Sequence, residues 1–194
     1  RSSAASDVYK RQVYGTAAYP QGVEATFDNE VVDDVISAVR LVKSLPEIDS
    51  ARVYVLGHSL GGMLVPRIAQ RAGEGCLGGI ISLAGPVRKM EQLLTEQITY
   101  ISSLSGTQPD VKAAVEQVIN SLPESYRKME TEYQPVEVAR MLKLPFLVLQ
   151  GERDYQVTMQ DFGMWRFGLY RNPNVLFKSY PKLNHALQAV SYTH

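Results

Sequence analysis

The chain is short of cysteine, of excess charge and of long apolar runs, and each shortage closes off a class of protein. Its one cysteine, Cys76, has no second thiol in the chain for a disulfide, so the fold does not depend on an oxidising compartment. Flanked by Gly75 and Leu77, it reads as an inert, partly buried thiol near a strand start. Lys and Arg number 20, Asp and Glu 20. That balance supplies no electrostatic footprint for nucleic acid or an anionic membrane surface. No apolar run approaches the roughly 18 residues of a membrane helix. His, Cys and acidic residues nowhere fall at metal-ligand spacing, so neither a metal nor another cofactor is expected.

What is present is the composition of a globular domain. Of 194 residues, 45% are hydrophobic and 21% charged, enough for one domain with a substantial core. The ends differ from the rest. Residues 1–12 (RSSAASDVYKRQ) and 190–194 share no hydrophobic period with their neighbours. They read as adapter-like, non-native ends of a longer reading frame, and are set apart from the fold.

Between the ends, helix and strand patterns alternate. Val31, Val32, Val35, Val39 and Val42 recur at helical spacing over residues 28–44, with Asp28 or Asn29 as the expected cap and Pro46 as the stop. Arg52 to Gly57 reads as a buried parallel strand, and Leu60 to Arg71 as a helix ending near Gly73. Pro66 inside that helix is a local conflict. Gly79 to Ala84, Pro145 to Gly151 and Val175 to Tyr180 read as further strands, Met159 to Tyr170 as a helix, and Asn184 to Leu187 as the start of another. Residues 87–143 are helical in pattern and interrupted by Gly106, Pro109, Pro123 and Pro135. This alternation implies an α/β fold, a parallel sheet flanked by helices, whose chemistry lies beyond the carboxyl ends of the strands.

One constellation carries chemistry. Gly57-His58-Ser59-Leu60-Gly61-Gly62 lies between a strand and a helix, the context a nucleophile elbow requires. The turn is sharp, so the expectation is that Gly57 and Gly61 let strand and helix approach. It would lift the Ser59 hydroxyl clear of the sheet and offer the Leu60 N–H to a developing oxyanion. Asp154 follows the third strand and His185 the fourth, so nucleophile, acid and base come in chain order at successive strand ends. His185 would take the serine proton and return it to the leaving group, while Asp154 orients the imidazole. Glu152 is the rival acid, and Asp154 is preferred for its later position in the loop. His58 is read as a local packing or capping residue. Phe162, Trp165 and Tyr170 read as core, and Met90, Leu94 and Tyr100 as helical packing rather than an acyl pocket. Arg88-Lys89 is too short a pair for phosphate binding.

From about Val13 to Leu187 the chain resembles the C-terminal part of a bacterial α/β-hydrolase, near the serine aminopeptidase-like and dienelactone-hydrolase-like branches. The resemblance rests on GHSLGG at the elbow, LAGP at 83–86, LQGERDYQV at 149–157 and YPKLNHAL at 180–187. It implies a helical cap at 87–143 over a core formed by 13–86 and 144–189. It also implies a small acyl substrate, an ester of a modest acyl acid. The chain departs from the family in lacking several strands ahead of the nucleophile strand and a His-Gly-Gly-type loop for the second oxyanion donor between Val13 and Asp28. Tyr14-Gly15-Thr16 resembles the stretch after a fourth strand. The expectation is a partial fold, inactive or poorly folded alone, from an active parent. The leading function is a serine carboxylic-ester hydrolase. A peptidase or thioesterase with the same triad is the alternative, and a non-catalytic binding domain stands behind both.

Overall fold

The structure is a computed structural model and describes residues 25–191; Tyr14-Gly15-Thr16 and most of the stretch expected to lack strands lie outside them. A π-helical turn, Asp28–Val32, runs directly into α1 (Asp33–Lys43). Its cap is neither Asp28 nor Asn29 alone. The Thr26 N–H donates to Asn29 Oδ1 at 2.7 Å and the Asn29 N–H to Thr26 Oγ1 at 3.2 Å, a reciprocal box that satisfies the first donors. Asp28 is thereby left to take cations from the next helix.

Four parallel strands follow in the order in which they occur: β1 (Tyr54–His58), β2 (Gly79–Leu83), β3 (Phe146–Gly151) and β4 (Val175–Tyr180). The first crossover is α2 (Leu60–Ala72), which continues through Pro66, a residue buried in the helix's packed face. The second holds α3 (Met90–Ser105), α4 (Val111–Ser121), α5 (Glu124–Glu132) and α6 (Pro135–Arg140), and the third is α7 (Met159–Leu169).

In-register pairing divides the sheet into two unlike faces. Val55, Ile80, Phe146 and Val175 form one row across all four strands, each buried. Against this face pack α2, with Leu64, Val65 and Ile68, and α7, whose Trp165 meets Phe146 edge-on at 5.5 Å. The neighbouring row, Leu56, Ile81, Leu147 and Leu176, faces the other way. Leu56 is 56% and Leu176 68% exposed. The expectation of a buried strand at 52–57 is therefore corrected: alternate residues of β1 are open, because the described helices that contact the sheet lie on one side of it.

The 87–143 segment is helical, as its pattern implies, but it divides. α3 and α4 pack on each other as a hairpin, whereas α6 packs on α2 and α7 in the core layer. The Tyr133 hydroxyl donates to Met63 O at 2.8 Å and joins that end of the segment to α2. The change in packing thus falls well before residue 143. Tyr170, expected in the core beside Phe162 and Trp165, is 62% exposed under the Arg171 guanidinium. Among the described residues no helix is long and apolar enough to cross a membrane.

Asp28 ties the entry turn to α2. It pairs with Arg67 through Nη2 at 2.6 Å and with Arg71 Nη1 at 2.7 Å, while Arg71 Nη2 also reaches Asp33 at 2.8 Å. The Arg67 hydrogen bond holds the Asp28 carboxyl below its ordinary value, outweighing partial burial, which acts the other way. A depressed folded pKa stabilises the fold above the unfolded value near 3.8, and that contribution is lost as pH falls through the folded value. Asp28→Asn should therefore cost about 1–2 kcal/mol at pH 7. In urea titrations, its gap from wild type should narrow once pH drops below about 4.

Candidate active site

The turn from β1 into α2 is made at Ser59, which adopts φ 55° and ψ −120°. A non-glycine residue held there costs on the order of 1–3 kcal/mol and persists only when its surroundings compel it. They do so through backbone contact. A Cβ on Gly57 would lie 2.1 Å from Gly61 O, and one on Gly62 would lie 2.8 Å from Gly85 Cα. Helix α2 therefore sits directly against the ends of β1 and β2. The Ser59 N–H donates to Leu83 O at 2.8 Å and locks the turn to the neighbouring strand. The expected steric demand at Gly61 is corrected: among the described residues a Cβ there meets nothing within 4 Å, and the second crowded glycine is Gly62. Leu60 opens α2, so its N–H has no acceptor within its own helix.

Asp154 sits in the loop after β3 with its side chain fully buried. Its Oδ1 accepts from the N–H groups of Gln156 at 2.8 Å and Val157 at 3.0 Å, and its Oδ2 meets His185 Nδ1 at 2.7 Å. The rival Glu152 is exposed and accepts from Ser179 Oγ at 2.7 Å instead. The geometry thus joins His185 to Asp154 and directs Glu152 elsewhere.

His185 is carried by a loop that crosses the end of β3, where a Cβ on Gly151 would lie 2.4 Å from Leu183 O. The loop is no helix, contrary to the expectation for residues 184–187. Asn184 Oδ1 accepts from the N–H groups of Ala186 and Gln188, Leu187 takes φ 53°, and Leu183 pairs antiparallel with Ala189. A side-chain acceptor that competes with the helical pattern has turned the chain back. Val190, expected to stand apart from the fold, donates to Lys182 O at 2.9 Å. Residues 1–12 and 192–194 lie outside the described residues.

With Nδ1 committed to Asp154, His185 Nε2 is the nitrogen left to serve a hydroxyl. Ser59 and His185 are brought to the same rim, and no hydrogen bond joins their side chains. Contact across the gap is made by His58, whose Nε2 lies 2.8 Å from His185 O and whose ring lies 4.7 Å from the His185 ring. His58 packs the two loops together.

Two supports of the site escaped sequence reasoning. Gln150 is buried in β3 and donates toward Asp154 Oδ2 at 3.1 Å. Arg88 and Asp161, both buried, join the loop after β2 to the start of α7. Asp161 Oδ1 accepts from the Val87 and Arg88 N–H groups, and Oδ2 from the Arg88 guanidinium at 2.8 Å. Burial works against the Arg88 charge, yet the hydrogen bonds it donates to Glu96 and Asp161 more than offset this and raise its pKa. The α3–α4 hairpin reaches the acid loop as well: Tyr100 stacks on Tyr155 at 4.7 Å and Gln97 Nε2 donates to Gln156 O at 3.0 Å.

The prolyl oligopeptidase family matches residues 13–194. The chain belongs to that family. Among similar proteins, Esterase EstD of Thermotoga maritima is 33% identical over 179 residues, covering 84% of this chain and 41% of the relative. The uncharacterized peptidase YtmA of Bacillus subtilis is 26% identical over 137 residues, covering 69% of this chain and 47% of the relative. The chain spans less than half the length of either. Among solved structures, Est1E from Butyrivibrio proteoclasticus superposes with a TM-score of 0.57 at 16% identity, over 84% of this chain and 64% of that one. That likeness shows the fold alone. The resemblance to the α/β-hydrolase fold is borne out.

Within this family member the crowded glycines are separable by mutation. Gly61→Ala should leave the melting temperature at or slightly above wild type, since helical glycine costs about 0.5–1 kcal/mol relative to alanine. Gly57→Ala and Gly62→Ala should each lose about 3 kcal/mol or more by backbone overlap. Thermal melts of the three variants check this.

Proposed function

We propose that Ser59, His185 and Asp154 act as a triad that hydrolyses carboxylic esters through an acyl-enzyme. The observation that carries the reading is the strained Ser59 turn beside an Asp154–His185 pair whose Nε2 remains for a hydroxyl. In this reading Ser59 Oγ attacks the acyl carbonyl carbon as its proton passes to His185 Nε2. Asp154 holds the tautomer and stabilises the imidazolium through Nδ1. The Leu60 N–H donates to the oxyanion while the tetrahedral intermediate lasts. His185 then protonates the departing alkoxide, and water repeats the sequence to release the acid.

A peptidase with the same three residues is the second reading, favoured by the family's description and by the peptidase YtmA. Acyl-enzyme chemistry is common to both, so the pockets for acyl and leaving groups decide between them. The similarity to Esterase EstD, higher in both identity and extent, favours the ester.

Hydrolysis of short and medium nitrophenyl esters beside an aminoacyl anilide, in the protein carrying this sequence, tests both readings. Ser59→Ala should lose at least about 10³-fold in kcat/KM and Asp154→Asn about 10⁴-fold, with Glu152→Gln within about twofold of wild type. Wild-type ester rates in Ser59→Ala would overturn the mechanism. Preference for the anilide would replace esterase by peptidase.

A further inference from the structure

We infer that Gln150 is a positioning residue for the acid–base pair, fixing the plane of the Asp154 carboxylate that receives His185. This rests on the triad reading above and adds to it a residue to which motif and spacing point in no way.

Gln150 is 2% exposed, in β3 one residue before the strand's end. A buried amide must find partners, and here they identify its orientation. Three acceptors surround Nε2: Val157 O at 2.8 Å, with Gly151 O and Asp154 Oδ2 both at 3.1 Å. An oxygen turned toward three oxygens would be repelled, so the nitrogen faces them. Two hydrogens serve three acceptors. The Val157 bond, the shortest, takes one, and the other is shared between Gly151 O and Asp154 Oδ2.

The consequence lies in which carboxylate oxygen is held by what. Oδ1 is fixed by two backbone donors, Gln156 and Val157. Without Gln150, Oδ2 would be held by His185 alone, the group that must change protonation during reaction. Gln150 supplies a second donor anchored in the sheet, so the carboxylate plane survives whatever the imidazole does. The same amide ties Val157 back to β3 and closes the acid loop from both ends. Being neutral, it orients the carboxylate without adding a charge beside it. It touches neither Ser59 nor the rim where substrate would bind, so its loss acts on turnover rather than on binding.

Gln150→Met removes the donor at similar volume and is compared with Val148→Ala, which opens the same buried face of β3 without touching Asp154. Ester hydrolysis should show kcat lowered about 10- to 100-fold in Gln150→Met, with KM within about twofold. The downfield proton resonance of His185 Nδ1–H should shift or broaden. Val148→Ala should lower the melting temperature and leave that resonance in place. Wild-type kcat and an unmoved resonance in Gln150→Met would overturn the inference, as would an equal disturbance from Val148→Ala. Should Gln150→Met not fold, Gln150→Asn keeps the amide on a stem too short to reach Val157 O and Asp154 together. The same loss of kcat is expected of it, and wild-type kcat there overturns the proposal. Asp154→Asn, measured alongside, separates the two levels. If it retains wild-type turnover, the triad reading fails and this inference with it; if it loses turnover while both Gln150 variants keep theirs, only the role of Gln150 fails.

Discussion

The carbonyl of Gly61 occupies the space where a side chain at residue 57 would have to be, 2.1 Å from an ideal Cβ. Strand β1 and helix α2 meet there backbone to backbone, and the residue between them must reverse the chain within a single step. Ser59 does so at φ 55°, a conformation it would not adopt unforced. The same closeness recurs at the residue after Gly61, where Gly62 abuts Gly85 just beyond β2. Two adjacent strands and one helix are thus clamped together by absent side chains. The Ser82 hydroxyl is buried beside this clamp and finds no hydrogen-bond partner among the described residues. A backbone held in this way needs no reordering at Ser59 when a substrate arrives.

Everything else in the site is arranged relative to that fixed turn. Because the sheet is parallel, the ends of β1, β3 and β4 lie on one edge, and the loops beyond them converge. The acid loop is held to its strand through Gln150, and the His185 loop folds over Gly151. Below them, Trp165 Nε1 donates to Gly85 O at 2.8 Å and Asp161 grips the Val87 and Arg88 N–H groups. Helix α7 therefore secures the loop beside the elbow from its opposite side. The α3–α4 hairpin contacts the acid loop through Tyr100 and Gln97, so the same loop that carries Asp154 also carries this hairpin's footing.

How much of this was legible in the sequence follows from the distance over which each feature is determined. The elbow is local: six consecutive residues between a strand and a helix suffice to read it. The meeting of Asp154 and His185 was legible because each follows a readable strand, and a parallel sheet brings its strand ends to one edge. Asp161 and Arg88 lie 73 residues apart and neither is marked by its neighbours, so no pattern points to their pairing. Gln150 reads as one more strand residue until the fold shows which face it occupies. Gly61 was misjudged for a related reason: spacing identifies the glycines of a tight turn, while only the helix's rotation decides which of them is crowded. The open face of the sheet follows from where the helices pack, not from the strands' apolar composition. The helix expected at 184–187 failed because Asn184 offers the backbone a competing acceptor.

In the proposed mechanism the strained turn presents Ser59 as the nucleophile, activated by the His185–Asp154 pair. Labelling with a fluorophosphonate, followed by peptide mass mapping, reads this without assuming a substrate. One adduct is expected, on the peptide containing Ser59, together with its loss in a His185→Ala variant that keeps its melting temperature. An adduct on another serine, or undiminished labelling of Ser59 without His185, would contradict it.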